Sequence, residues 1–69
     1  MTKMYILRRT KGLTQEGLAS LVASTQSEIS RIENGVKIPS NELLTGIADV
    51  LGVDKDTLLE ELDVQDISG

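Results

Sequence analysis

The stretch GLTQEGLASLVASTQSEISRIENG, residues 12–35, packs two helix starts and two helix stops into a short length of chain. Thr14 has the chemistry of an N-cap, and behind it Leu18, Leu21 and Val22 recur at the i, i+3, i+4 spacing of one helical face. A helix from about Gln15 to Val22 is therefore expected. Thr25 and Glu28 then read as a T-x-x-E capping box, in which hydroxyl and carboxylate each satisfy an unpaired backbone N–H at a helix start. That next helix stops at Asn34-Gly35, residues suited to a left-handed terminus. Only Ala23 and Ser24 separate the end of one helix from the cap of the next, so the pair must turn sharply and pack together. Ala19, one turn before the bend, is small enough to allow that close approach.

Outward from this pair the punctuation continues, and no strand pattern appears. Thr2 caps a first helix running to Lys11 and stopping at Gly12, with Met4, Leu7 and Tyr5 as its inward candidates. After Pro39, Ser40 caps a fourth helix whose Leu43, Leu44, Ile47, Ala48 and Leu51 make an apolar stripe ended by Gly52. Asp54 caps a short fifth helix, with Asp56 in its first turn and Leu58, Leu59 and Leu62 on one side. Residues 64–69 read as a frayed tail. With no repeat and no low-complexity segment, residues 1–69 are expected to form one all-α domain of five helices.

Composition excludes several functions. A chain of 69 residues buries only about 60% of its unfolded surface, so a compact aliphatic core has to hold it. Tyr5 is the only aromatic, and there is no cysteine and no histidine. Disulfides, thiolate chemistry, the usual transition-metal sites and the commonest general base are therefore missing. No constellation of nucleophile, base and oxyanion donors is visible, and no metal, cofactor or small-molecule ligand is expected. The apolar part of MTKMYILRRTKG is shorter than a signal-peptide core, and nothing approaches the roughly 20 residues of a membrane span. A cytoplasmic, non-enzymatic protein is the expectation.

The net charge of −4 conceals an uneven distribution. Residues 1–40 carry Lys3, Arg8, Arg9, Lys11, Arg31 and Lys37 against Glu16, Glu28 and Glu33, whereas residues 41–69 carry Lys55 against eight acids. Either these are solvated faces that favour solubility, or the basic half meets an anionic partner.

The segments GLTQEGLASLVASTQSEISRIENG, IPSNELLTGIADVLGV and LRRTKG together resemble the Cro/C1-type helix-turn-helix domain, the XRE family of phage repressors and bacterial regulators. The resemblance covers roughly residues 4 to 62, with the helix-turn-helix at about 15–34. It implies a compact five-helix, lambda-repressor-like fold that binds double-stranded operator DNA as a homodimer, the helix after Thr25 lying in the major groove. It also implies that Gln15 braces Gln26 while contacting phosphate, and that Arg8 pairs with Glu33 to tie the first helix to the third. The chain departs from the family at Ala23, where glycine is usual, at Ser24, usually apolar, and at Gly17, where glycine costs about 1 kcal/mol relative to alanine.

A helical wheel gives an independent test. At about 100° per residue, Gln26, Ser30, Asn34, Ser27 and Arg31 fall within an arc of roughly 140°. Ile29 and Ile32 point the other way, and Glu28 and Glu33 lie outside the arc. Gln can pair twice with adenine, Arg with guanine O6 and N7, and Ser with either kind of edge. Gln26, Ser27 and Arg31, with Ser30 further along, are thus the candidate base contacts, weighed against a merely solvated polar face. Thr14, Gln15, Thr25, Asn34, Lys37 and Ser40 are the candidate backbone contacts, which orient without reading sequence. Lys3, Arg9 and Lys11 add longer-range attraction. Glu28 and Glu33 take structural posts, although a carboxylate at Glu28 can also accept from cytosine N4. Leu62, Val64 and Ile67 either form a dimer seam or close the core. The expected function is transcriptional regulation, and repression in particular, since no polymerase-recruiting or ligand-sensing domain is evident. The competing reading is a protein-interaction module on the same fold, such as an antitoxin or a regulator's antagonist.

Overall fold

A computed structural model of the chain describes residues 4–61. Thr2, Lys3, Leu62, Val64 and Ile67, expected as cap, long-range cation, core residue or dimer seam, lie outside the described residues. Five helices follow in order: α1 Met4–Thr10, α2 Gln15–Leu21, α3 Gln26–Glu33, α4 Asn41–Leu51 and α5 Lys55–Glu61. Among the described residues there is no strand, and no helix is long and apolar enough to cross a membrane.

Every helix start with a described cap uses the residue that the sequence offers. Thr14, Thr25 and Ser40 accept from the N–H groups of Gly17, Glu28 and Leu43 at 2.9, 3.1 and 3.2 Å, and Asp54 accepts from Thr57 N–H at 2.8 Å. Each bond satisfies a donor that no intrahelical carbonyl can reach. The stops of α1 to α4 share a motif. Leu13, Ser24, Val36 and Val53 each donate an N–H back to the carbonyl five residues earlier, at 3.2, 2.8, 2.9 and 3.0 Å, the Schellman arrangement that requires a left-handed residue just before the donor. Glycine fills that position after α1, α3 and α4, at φ 74° to 76°. After α2 the residue is Ala23, at φ 56°. The sharp turn between α2 and α3 is therefore made by a side chain that costs about 1–2 kcal/mol in this conformation.

The core gathers Met4, Leu18, Ala19, Ile29, Ile32, Leu44, Ile47, Ala48, Leu51 and Leu58, with Leu7, Leu13, Val22, Leu43, Val50 and Val53 packed against it. Ala19 is buried, and α3 is the helix against which α2 packs most extensively. One expectation fails here. Leu21 is not on the buried face with Leu18 and Val22 but is 62% exposed. The reason is angular: Leu18, Ala19 and Val22 span an arc of about 100°, and Leu21 lies some 60° outside its edge. Likewise Leu58 is fully buried while its neighbour Leu59 is exposed, because successive residues point about 100° apart.

Candidate nucleic-acid interface

Thr25, Gln26, Ser27, Arg31 and Asn34 are exposed, and Ser30 is half-buried beside them. Ile29, Ile32 and Glu33 form the opposite, fully buried side of α3. The arc of α3 that holds Gln26, Ser27, Ser30, Arg31 and Asn34 thus offers amides, hydroxyls and one guanidinium, with no carboxylate, and half-buried Glu28 lies to one side of it. Asn34 Nδ2 donates to Ser30 Oγ at 3.5 Å, linking two of these residues along the helix.

Gln26 is not free-standing. Its Nε2 donates to Gln15 Oε1 at 2.6 Å, and Gln15 Nε2 donates in turn to Glu33 Oε1 at 3.0 Å. Glu33 is 1% exposed and is neutralised by Arg8, whose Nε donates to Oε2 at 2.5 Å and whose Nη2 donates to Oε1 at 3.2 Å. Arg8 Nη1 donates to the Leu13 carbonyl at 2.7 Å, while Leu13 N–H donates to the Arg8 carbonyl at 3.2 Å. The Tyr5 ring lies 5.3 Å from the guanidinium carbon. Removing a charge pair from water is costly unless its remaining hydrogen-bonding capacity is used, and here Gln15 and the Leu13 carbonyl use it. The result is a continuous chain of bonds from the interior, across α1, α2 and α3, to a side chain at the surface.

The candidate backbone residues divide. Thr14, Gln15 and Gln26 line one open groove with Arg8, Arg9, Gly12, Leu13 and Glu16. Thr14 and Thr25 accept cap bonds, leaving the hydroxyl protons uncommitted by them. Ser40 instead lines a second cleft with Val22, Ala23, Ser24, Glu28, Glu42 and Leu43, so two carboxylates stand near it. Lys37 Nζ lies 2.6 Å from Glu28 Oε2. Ser24 Oγ donates to the other oxygen, Oε1, at 2.6 Å. Those bonds correct the capping-box expectation: Thr25 accepts from Glu28 N–H, but the Glu28 carboxylate turns to Ser24 and Lys37 rather than to Thr25 N–H. A lysine and a hydroxyl outcompete a lone amide for a carboxylate. The Lys37 and Ser24 bonds hold the Glu28 carboxyl below its ordinary value of 4.5.

Sequence reasoning missed several participants. The link from Gln15 to Glu33 spans 18 positions and leaves no periodic trace, although an acid near the end of α3 and a glutamine at the start of α2 are both visible. Glu16, an acid close to the candidate face but carried by α2, lines the Gln26 groove, together with Arg9, which the sequence offered only as a longer-range cation. Lys11 is placed away from it: its ammonium lies by Gly52, where an added Cβ would be 3.5 Å from Nζ, at the electronegative end of α4.

The chain as a whole is similar to known proteins. The Helix-turn-helix family model matches residues 4–58. The chain is 39% identical over 56 residues to the uncharacterized HTH-type transcriptional regulator YazB of Bacillus subtilis (strain 168), covering 81% of each sequence. Its fold is similar to that of the clp gene regulator ClgR from Corynebacterium glutamicum, with a TM-score of 0.75 and 30% identity over 87% of this chain. The match spans 64% of the ClgR chain. With two adjoining short helices, a polar outward face on the second and a family match over most of its length, the chain belongs to the helix-turn-helix family of DNA-binding transcriptional regulators, in its Cro/C1-type (XRE) branch.

Proposed function

We propose that this protein is a repressor that binds a pseudo-palindromic operator in double-stranded DNA as a homodimer, with α3 of each protomer in the major groove. The observation that carries the reading is the carboxylate-free outward arc of α3. Gln26, Ser27 and Arg31 read bases there, with Ser30 behind them. Thr14, Gln15, Thr25 and Asn34 hold phosphates through hydroxyl, amide and helix-start N–H groups. Lys37 joins them by exchanging Glu28 for a phosphate, and Ser40 lies at the margin. Two-fold symmetry requires half-sites about 34 Å apart.

Selection of binding sequences from random duplex DNA tests this directly. An enriched inverted repeat is the expected outcome. Absence of any enriched sequence would favour a protein partner for the same face. Arg31→Ala should weaken operator binding by about 1–3 kcal/mol and relax preference at one position per half-site. Unchanged affinity in that variant would remove Arg31 from the contact set.

A further inference from the structure

The hydrogen bonds behind Gln26 run in one sense only, and the group that sets the sense never reaches the surface. A carboxylate is an acceptor on both oxygens. Glu33 Oε1 and Oε2 both accept from Arg8, and Oε1 also accepts from Gln15 Nε2. Gln15 must therefore turn its NH₂ inward and its carbonyl oxygen toward Gln26. Facing that oxygen, Gln26 must present its NH₂, and it does so at 2.6 Å. The amide of Gln26 is left with its carbonyl oxygen and one N–H for an outside partner, on fixed sides. Turning it over would set two oxygens against each other.

We infer that Glu33 is a specificity-determining positioning residue: through Gln15 it fixes which edge of the Gln26 amide meets the bases, and so selects adenine at that position. In the major groove adenine offers an N6 donor beside an N7 acceptor, matching a carbonyl oxygen and an N–H held in fixed order, whereas guanine offers two acceptors. The inference rests on the base-reading role proposed for Gln26.

Reversing the relay should reverse the reading. In Glu33→Gln, the new amide keeps its oxygen on Arg8 Nε, the shorter of the two Arg8 bonds, and turns its NH₂ toward Gln15, giving up the longer bond from Arg8 Nη2. Gln15 then reverses, and Gln26 reverses after it, showing an NH₂ outward. Preference at that base pair should move from adenine toward guanine, with the other positions of the site unchanged. The double variant Gln15→Glu/Glu33→Gln restores an acceptor facing Gln26, since the carboxylate introduced on α2 can take N–H bonds from both sides, and should bring adenine preference back.

The experiment is binding selection from random duplex DNA, followed by affinity measurements on the four base-pair variants at the affected position. The wild type, Glu33→Gln, the double variant, Gln15→Met and Gln26→Ala are compared, each checked for folding by circular dichroism. Wild-type discrimination should be about tenfold or more, in line with a good two-point base contact. Gln15→Met leaves the buried ion pair intact, so it tests the relay even if Glu33→Gln does not fold. In that variant adenine preference should fall to about threefold or less, because the Gln26 amide is free to turn. A uniform loss of affinity with wild-type base preference in both Gln15→Met and Glu33→Gln would reduce Glu33 to a structural role and overturn the inference. If instead Gln26→Ala alters no single base pair, it is the base-reading assignment of Gln26 that falls.

Discussion

Ala23 is the residue at which local preference and the fold most plainly disagree. Its φ of 56° makes the turn between α2 and α3, and the three other left-handed helix ends have glycine. Ala23→Gly relieves the Cβ clash at some cost in unfolded-state entropy, so it should stabilise the protein by about 1 kcal/mol. Urea unfolding at constant m-value checks this, and an unchanged or lower midpoint would show that the turn is not strained. The sequence flagged the position as unusual, but only the backbone angle says what the departure costs. Gly17 is a milder case: a Cβ there would lie 3.2 Å from Thr14 Oγ1, tight against the hydroxyl that caps α2. A glycine that reads as a propensity defect thus also leaves room for the cap.

Among the helices, the caps were legible because an N-cap is a local device. Thr14, Thr25, Ser40 and Asp54 each bond an N–H three residues ahead, and no tertiary partner is needed. The last of these has a pH consequence. The Thr57 N–H holds the Asp54 carboxyl below its ordinary value of 3.8, as Lys37 and Ser24 do for Glu28. Folded-state values below the unfolded ones mean that the unfolded chain binds protons first as pH falls. Their stabilisation is therefore complete above about pH 5 and is lost as pH drops through 4.5 and 3.8 toward the lowered folded values. Asp54→Asn keeps a capping side chain without the titration, so its urea midpoint should fall less than the wild type's between about pH 6 and pH 3. Equal falls in both proteins would exclude Asp54 as a contributor. The buried faces were less legible. Leu21 satisfied the spacing rule and is 62% exposed, because spacing alone does not say where the neighbouring helices stand.

At the scale of the molecule, the Arg8–Glu33 pair joins α1 to α3 through the interior. Breaking a buried pair leaves one unpaired charge, so Glu33→Ala should cost about 3–5 kcal/mol, comparable to the whole stability of a core this small. Replacing both partners, Arg8→Met with Glu33→Leu, should recover much of that loss. Denaturant unfolding of the three proteins decides it, and a double variant no more stable than Glu33→Ala would mean that the pair is irreplaceable. Charge is segregated at this scale too, with the acids concentrated beyond residue 40. Among the described residues the cations near the proposed DNA face are chiefly Arg9, Arg31 and Lys37; with Arg31 committed to a base, Arg9 and Lys37 of two protomers neutralise at most four phosphates, so operator affinity should fall with salt at a log–log slope of only about −2 to −4. Titration by fluorescence anisotropy at several salt concentrations gives the slope. A flat line would remove the phosphate contacts, and a much steeper one would require cations beyond those named.

The helices, their caps and most of their stops were already written in the order of the residues, because these depend on neighbours within one turn of each other. So was the choice of side chains that α3 turns outward, since helical geometry needs no other element. Packing in three dimensions decided that Gln15 bonds Glu33 and so joins the Gln15–Gln26 and Arg8–Glu33 links, which the resemblance implied, into one chain, that Glu28 holds Lys37, and that Lys11 turns to the end of α4. Hydrogen bonds between helices depend on where separate elements come to rest, and links across 11 to 25 positions of chain have no signature in local spacing.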